Sequence, residues 1–224
     1  MKKKPELKPE FRDAKVFAFG LDALAHLGGE DGRIELQQAF VRRGLEPMTV
    51  SLAHSAATSR GFSCKRFMQE IERLRVKLDP EQYKTLAEDF RAWFNKNNKR
   101  HSCAEYVIPA CLDAGMRIAI LAVGDRGFEI GKIAPLNIPE RRLHSYFEIA
   151  TGVKYKRVGA LARDLGRVVY VDTAGVELDA VRGHEIPESA VMTVRVNHNR
   201  EWKPEKTAFK HLEINSFEAL LIPV

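Results

Sequence analysis

The 224-residue chain has only three cysteines, Cys64, Cys103 and Cys111, an odd number at irregular spacing. That excludes a disulfide scaffold and reads as free thiols in a reducing cytoplasm. No apolar run approaches the roughly 20 residues a helix needs to cross a bilayer, so no membrane partner is expected. The basic start, Met1-Lys2-Lys3-Lys4-Pro5, leads into no apolar stretch, so a secretory signal is not expected either. Internal repeats and low-complexity tracts are missing. Neither sign of charge dominates: 36 Lys+Arg against 30 Asp+Glu leave a net +6. With 45% hydrophobic and 29% charged residues the balance is that of a folded domain, which excludes intrinsic disorder. The small positive surplus leaves two partner classes open, nucleic acid and anionic or phosphorylated ligands.

What is present is an alternation of short apolar runs with helical stripes. Residues 1–14 are polar and charged and read as a flexible lead-in. Val16 to Leu21 is an unbroken apolar run ending at Asp22, as for a strand buried on both faces. Gly28 to Gly32 is a breaker cluster. From there to about residue 100 the period is helical. Leu36, Phe40 and Val41 share a face that Gly44 can end, and Phe67, Ile71, Leu74 and Leu78 form one stripe. Asp79-Pro80 reads as an N-cap with proline at the first helical position, followed by Tyr83, Leu86, Phe90 and Phe94. After Ser102 a helix through Tyr106 and Cys111 ends at Gly115. Further strands are expected at 118–123, 168–171, 191–196 and 212–214, with Asp125 capping a helix and a stripe at Val158, Leu161, Ala162 and Leu165. Strands that alternate with helices imply a mostly parallel sheet. An open parallel sheet places its chemistry beyond the carboxyl ends of its strands. Those ends are Gly20 to Asp22, Ala122 to Asp125, and Asp172 to Glu177.

Taken in order, these strand ends resemble the haloacid dehalogenase superfamily. Asp113 to Leu121 is similar to its helix, glycine turn and second motif strand. Arg167 to Thr173 is similar to its fourth motif strand, and Met192 to Asn197 with Leu212 to Leu221 to its last strand and helix. The helical stretch falls where that family inserts a mobile cap. The resemblance implies a three-layer, Rossmann-like α/β core at 1–27 and 101–224 with a helical cap at 28–100. It also implies chemistry. An Asp after the first strand attacks phosphorus or carbon and forms an ester, and a second Asp two residues on is the acid and base. A Ser or Thr holds phosphoryl oxygens, a Lys neutralises charge, and the fourth-motif acid helps bind magnesium.

The residues at those positions are degenerate. Setting Phe19-Gly20-Leu21-Asp22 on the family's Phe-Asp-Leu-Asp puts Gly20 at the nucleophile and Asp22 at the acid/base position. Glycine has no oxygen with which to attack or bind metal. Ala122 stands where a hydroxyl would hold phosphate. Asp172, Thr173 and Glu177 keep part of the fourth motif, and Asp172 and Glu177 are its metal-binding acids. Lys154 takes the lysine position, with Lys156 the alternative. A rival register makes Asp22 the nucleophile and keeps an active hydrolase.

Weighed singly, Asp22 and Asp172 also read as turn-capping strand ends, and Lys154 more readily as a solvated lysine. The histidines and cysteines match no zinc spacing. Basic stretches at Arg42-Arg43, Lys65 to Lys77 and Lys96 to Arg100 suit phosphate or salt-sensitive nucleic-acid binding, but a mixed-charge solvated face explains them more simply. The expectation is a catalytically impaired hydrolase homologue that acts in binding or interaction. It carries no cofactor, and magnesium enters only if it is active. An active magnesium-dependent phosphatase or dehalogenase-type hydrolase using Asp22, and a nucleic-acid binder using the basic cap, are the alternatives.

Overall fold

The computed structural model describes residues 5–59, 61–102, 104–148, 152–184, 186–198 and 206–223, so Cys103 lies outside the described residues. In chain order, β1 (Val16–Gly20) runs into the single turn α1 (Leu21–Leu24). β2 (Ala25–Leu27) and β3 (Asn98–Arg100) pair as a two-stranded ribbon around α2 (Gly29–Arg42), α3 (Pro47–Thr58), α4 (Cys64–Arg73) and α5 (Pro80–Asn97). Then follow α6 (Ala104–Asp113), β4 (Arg117–Val123), α7 (Arg126–Ile133), β5 (Leu143–Glu148), α8 (Tyr155–Leu165), β6 (Val168–Asp172), α9 (Gly175–Gly183), β7 (Val191–Val196) and β8 (Leu212–Ile214). No helix of the described residues is long and apolar enough to cross a membrane.

The chain divides into two compact units. The α/β unit holds Met1–Ala25, Arg100–Ala122 and Leu136–Val224; the helical unit holds His26–Lys99 and Val123–Pro135. The α/β unit is built on a six-stranded sheet in the order β5-β4-β1-β6-β7-β8. β1 pairs in parallel with both β4 and β6, and β6–β7 and β7–β8 are also parallel. All five residues of β1 and of β6 are buried, which is why both read as unbroken apolar runs. One face packs Val16, Ala18, Val168 and Tyr170 against Val158 and Leu161 of α8 and Leu178 and Val181 of α9. The other carries Phe17 and Phe19, whose rings meet Phe11 and Phe217. Such aromatic pairs add about 0.5–1.5 kcal/mol each beyond the area they bury.

Several details differ from the sequence reading. Described residues 5–14 are not a loose lead-in: Leu7, Phe11 and Ala14 are buried, and Leu7 bridges to Leu221. The stripe expected from Phe67 to Leu78 is cut short. α4 ends at Arg73, Arg75 takes a left-handed φ of 65°, and Leu74 is exposed. β5 adds a strand, because Leu143-His144-Ser145-Tyr146-Phe147-Glu148 is half-buried and shows neither an apolar run nor clean alternation. Residues 123–135 group with the helices instead of the sheet. The cause is Phe128 of α7, whose ring contacts Phe62, Phe90 and Phe94. Both predicted caps form: Asp79 makes a capping box with Gln82, and Asp125 accepts from the Phe128 amide at 3.1 Å.

Candidate functional site

The order of the strands reverses at β1, with β4 and β5 on one side and β6 to β8 on the other. Ligands of open α/β sheets sit beyond the carboxyl ends at such a switch point. Gly20, Ala122 and Asp172 end the three central strands, or stand one residue short of the end in the case of Ala122. Register pairs Ala18 with Tyr170 and Phe19 with Val171, so the next pair up is Gly20 beside Asp172 on the face that holds Tyr170.

Asp172 is 2% exposed and fully engaged. Its Oδ2 accepts from the Tyr170 hydroxyl at 2.5 Å and from the Lys154 ammonium at 2.9 Å; its Oδ1 accepts from the Ala174 amide at 3.0 Å. Glu177, 1% exposed in the first turn of α9, accepts from the Gly152 amide at 2.9 Å and the Lys154 amide at 3.4 Å. The two acids therefore hold Lys154 by its ammonium and its backbone, just before α8. Lys154 is 7% exposed, so it is not the solvated lysine that its polar neighbours suggested. Lys156, its alternative, is exposed.

The electrostatics follow from burial. Burial pulls the Lys154 ammonium down, but Asp172, Glu177 and, more weakly, Asp22 together hold it above the ordinary lysine value. Burial and then the Asp172 carboxylate push the Tyr170 phenol far above its usual range, so it stays a donor. Burial also raises the Glu177 carboxyl, against the pull of Lys154 and the Gly152 amide. Asp22 is exposed, in the first turn of α1, unlike these buried groups, though its charge still reaches Lys154. Sequence reasoning missed Tyr170. Its signal was the two-residue spacing from Asp172, which puts both side chains on one face of β6.

The space facing the nucleophile position is taken. A Cβ built on Gly20 would lie 2.3 Å from Oδ2 of Asp172 and 2.4 Å from its Cγ. Magnesium takes near-octahedral oxygen ligands with room between them. Here Gly20 and Ala122 offer no side-chain oxygen, and the carboxylate of Asp172 is committed to three internal donors. Among the described residues no three His, Cys, Asp or Glu side chains are grouped to hold an ion. These residues do not fit the ion that the family resemblance implies.

No family model and no curated protein matches the sequence. Solved structures do match. A protein of Burkholderia xenovorans assigned as a haloacid dehalogenase-like hydrolase superposes with a TM-score of 0.65 at 18% identity, over 92% of this chain and 96% of that one. A haloacid dehalogenase-like family hydrolase of Xanthomonas campestris gives 0.60 at 12% identity, over 92% of each chain. A Bacillus subtilis protein assigned as a hydrolase of the same class, in a structure bound to magnesium, gives 0.60 at 11% identity, over 92% and 96%. Identities this low establish the fold, which is the one that the order of strand ends suggested.

Proposed function

We propose that this protein, built on the haloacid dehalogenase-like hydrolase fold, has lost hydrolytic chemistry and acts as a binding or interaction protein for an anionic or phosphorylated ligand. One observation carries the reading: at the nucleophile position Gly20 supplies no carboxylate, and the Asp172 side chain fills the volume where one would begin. Covalent catalysis needs an attacking oxygen at that strand end, and positioning alone does not replace it. The hydroxyl that would hold phosphoryl oxygens is also gone, at Ala122. Loss at two chemical positions supports decay more than a change of substrate.

The rival reading, an active hydrolase using Asp22, draws on the exposure of that carboxylate on α1. The two part in one experiment. Hydrolysis is followed over an aryl phosphate, a panel of phosphometabolites and 2-haloacids, with magnesium present, while thermal melting records binding of the same phosphorylated compounds. The proposal expects no turnover above background and a rise in melting temperature with at least one phosphorylated compound. Turnover that Asp22→Asn abolishes overturns it.

A further inference from the structure

The acids of the fourth motif are usually read as half of a metal site, yet every donor around them here belongs to the chain. Lys154 and Tyr170 both point at Oδ2 of Asp172, at 2.9 and 2.5 Å, and Ala174 holds Oδ1 at 3.0 Å. The ammonium is not a passing contact. Its residue is fixed at the start of α8, its own amide is held by Glu177 at 3.4 Å, and its side chain is 8% exposed against 2% for Asp172. The carboxylate has turned into the volume above Gly20, where any larger residue would stand.

We propose that Lys154 is the permanent counter-cation of Asp172, an internal substitute for a divalent ion, and that Gly20, Tyr170 and Lys154 together close this site to magnesium. The inference rests on the reading of Gly20 given above and extends it to the cation. Oδ2 of Asp172 is taken by the ammonium and the Tyr170 hydroxyl and Oδ1 by the Ala174 amide, so magnesium, which gives up its waters reluctantly, would have to displace donors already in place. A dication brought beside a buried ammonium is repelled at short range where screening by water is weak. Two consequences follow. Lys154 is not available to an anionic ligand, which must be held by other groups. A carboxylate restored at position 20 would start 2.3 Å from Oδ2 of Asp172, so Asp172 must leave its three donors before the two acids could share an ion.

The test uses the full chain, stripped with EDTA, and compares melting in EDTA with melting in millimolar magnesium, alongside calorimetric titration of magnesium chloride. Wild type is expected to melt at the same temperature in both and to give no binding heat. Lys154→Ala removes the ammonium; Lys154→Gln does so with less loss of packing, should the alanine variant not fold. Either variant is expected to melt lower than wild type by about 5 °C or more in EDTA and to recover part of that loss in magnesium. Stoichiometric magnesium binding to wild type, or a response to magnesium that is the same in wild type and variant, overturns the inference. A wild type that hydrolyses phosphate esters defeats the loss of chemistry itself; one that is inert yet binds magnesium defeats only the claim about Lys154.

Discussion

Gly20 and Asp172 stand side by side at the ends of two parallel strands, and the carboxylate of Asp172 occupies the place where a side chain on residue 20 would start, 2.3 Å from an ideal Cβ. The glycine backbone there has φ −59° and ψ 132°, which any residue adopts. What position 20 restricts is therefore volume. Gly20→Ala should displace a carboxylate held by three donors, at a cost of roughly 1–3 kcal/mol. That exceeds the ~0.4–1 kcal/mol that replacing glycine returns through the unfolded chain. Urea denaturation should show a lower midpoint with an unchanged slope; an equal or higher midpoint would mean that Asp172 does not need that space.

Tyr170→Phe and Lys154→Met should separate the two donors on Oδ2. Losing the hydroxyl leaves the ammonium in place and should cost about 1–3 kcal/mol. Losing the ammonium leaves a buried carboxylate without its counter-charge and should cost about 3–5 kcal/mol. Adding Asp172→Asn to Lys154→Met should recover part of the larger loss, because the uncompensated charge goes with it. The same denaturation series measures all of these. Because the Lys154 ammonium is held above the ordinary lysine value, its contribution is complete below that value and is lost only as the solution becomes strongly alkaline. The cost of Lys154→Met should accordingly stay flat from mildly acid to mildly alkaline pH.

His198 supplies a pH dependence of the opposite kind. Its ring stacks on His101 with centroids 3.9 Å apart, and its Nε2 contacts the Ala23 carbonyl at 2.8 Å. Burial lowers its pKa, against a smaller upward pull from that carbonyl. With the folded pKa below the unfolded one, the unfolded chain binds more protons in between, so stability falls as pH drops through the usual histidine range. Melting at mildly acid pH should be lower than at neutral pH, and His198→Gln should shrink that difference. His54 and His144, also lowered by burial, keep the remainder.

Nucleic acid is not the expected partner. The helical unit carries 15 Lys+Arg against 12 Asp+Glu and the α/β unit 21 against 18, so the surplus is three in each and is not gathered in the helical unit. Within the basic stretches of the helical unit Arg43 is forked onto Asp89, Lys96 meets Glu35 at 2.6 Å and Arg73 meets Glu70 at 2.6 Å. Mixed-charge faces of this kind release few counterions on meeting DNA or RNA. Gel retardation at low salt should show no shift of duplex DNA or of RNA; a shift that weakens steeply with added salt would favour nucleic-acid binding by the helical unit.

The strand ends were legible because β1, β4 and β6 are buried on both faces and their apolar runs stop at or near the residues that matter. The caps at Asp79 and Asp125 were legible because their rules are local. What escaped depends on distant partners. Nothing near Lys154 distinguishes it from Lys156 until Asp172 and Glu177, some twenty residues on, draw one of them inward. Phe128 reads as an ordinary helix position after β4 until the rings of Phe62, Phe90 and Phe94 claim it. Tyr170 was hidden by its own strand, where an aromatic among valines looks like core, although its hydroxyl completes the hold on Asp172.

The most direct measurement of the central claim looks for the covalent ester itself. Intact-mass spectrometry of the full chain, quenched during incubation with an aryl phosphate or a 2-haloacid in the presence of magnesium, reports whether any carboxylate attacks. A strand that ends in Gly20 predicts an unchanged mass at every time point. An ester adduct that maps to Asp22 and disappears in Asp22→Asn would contradict the account.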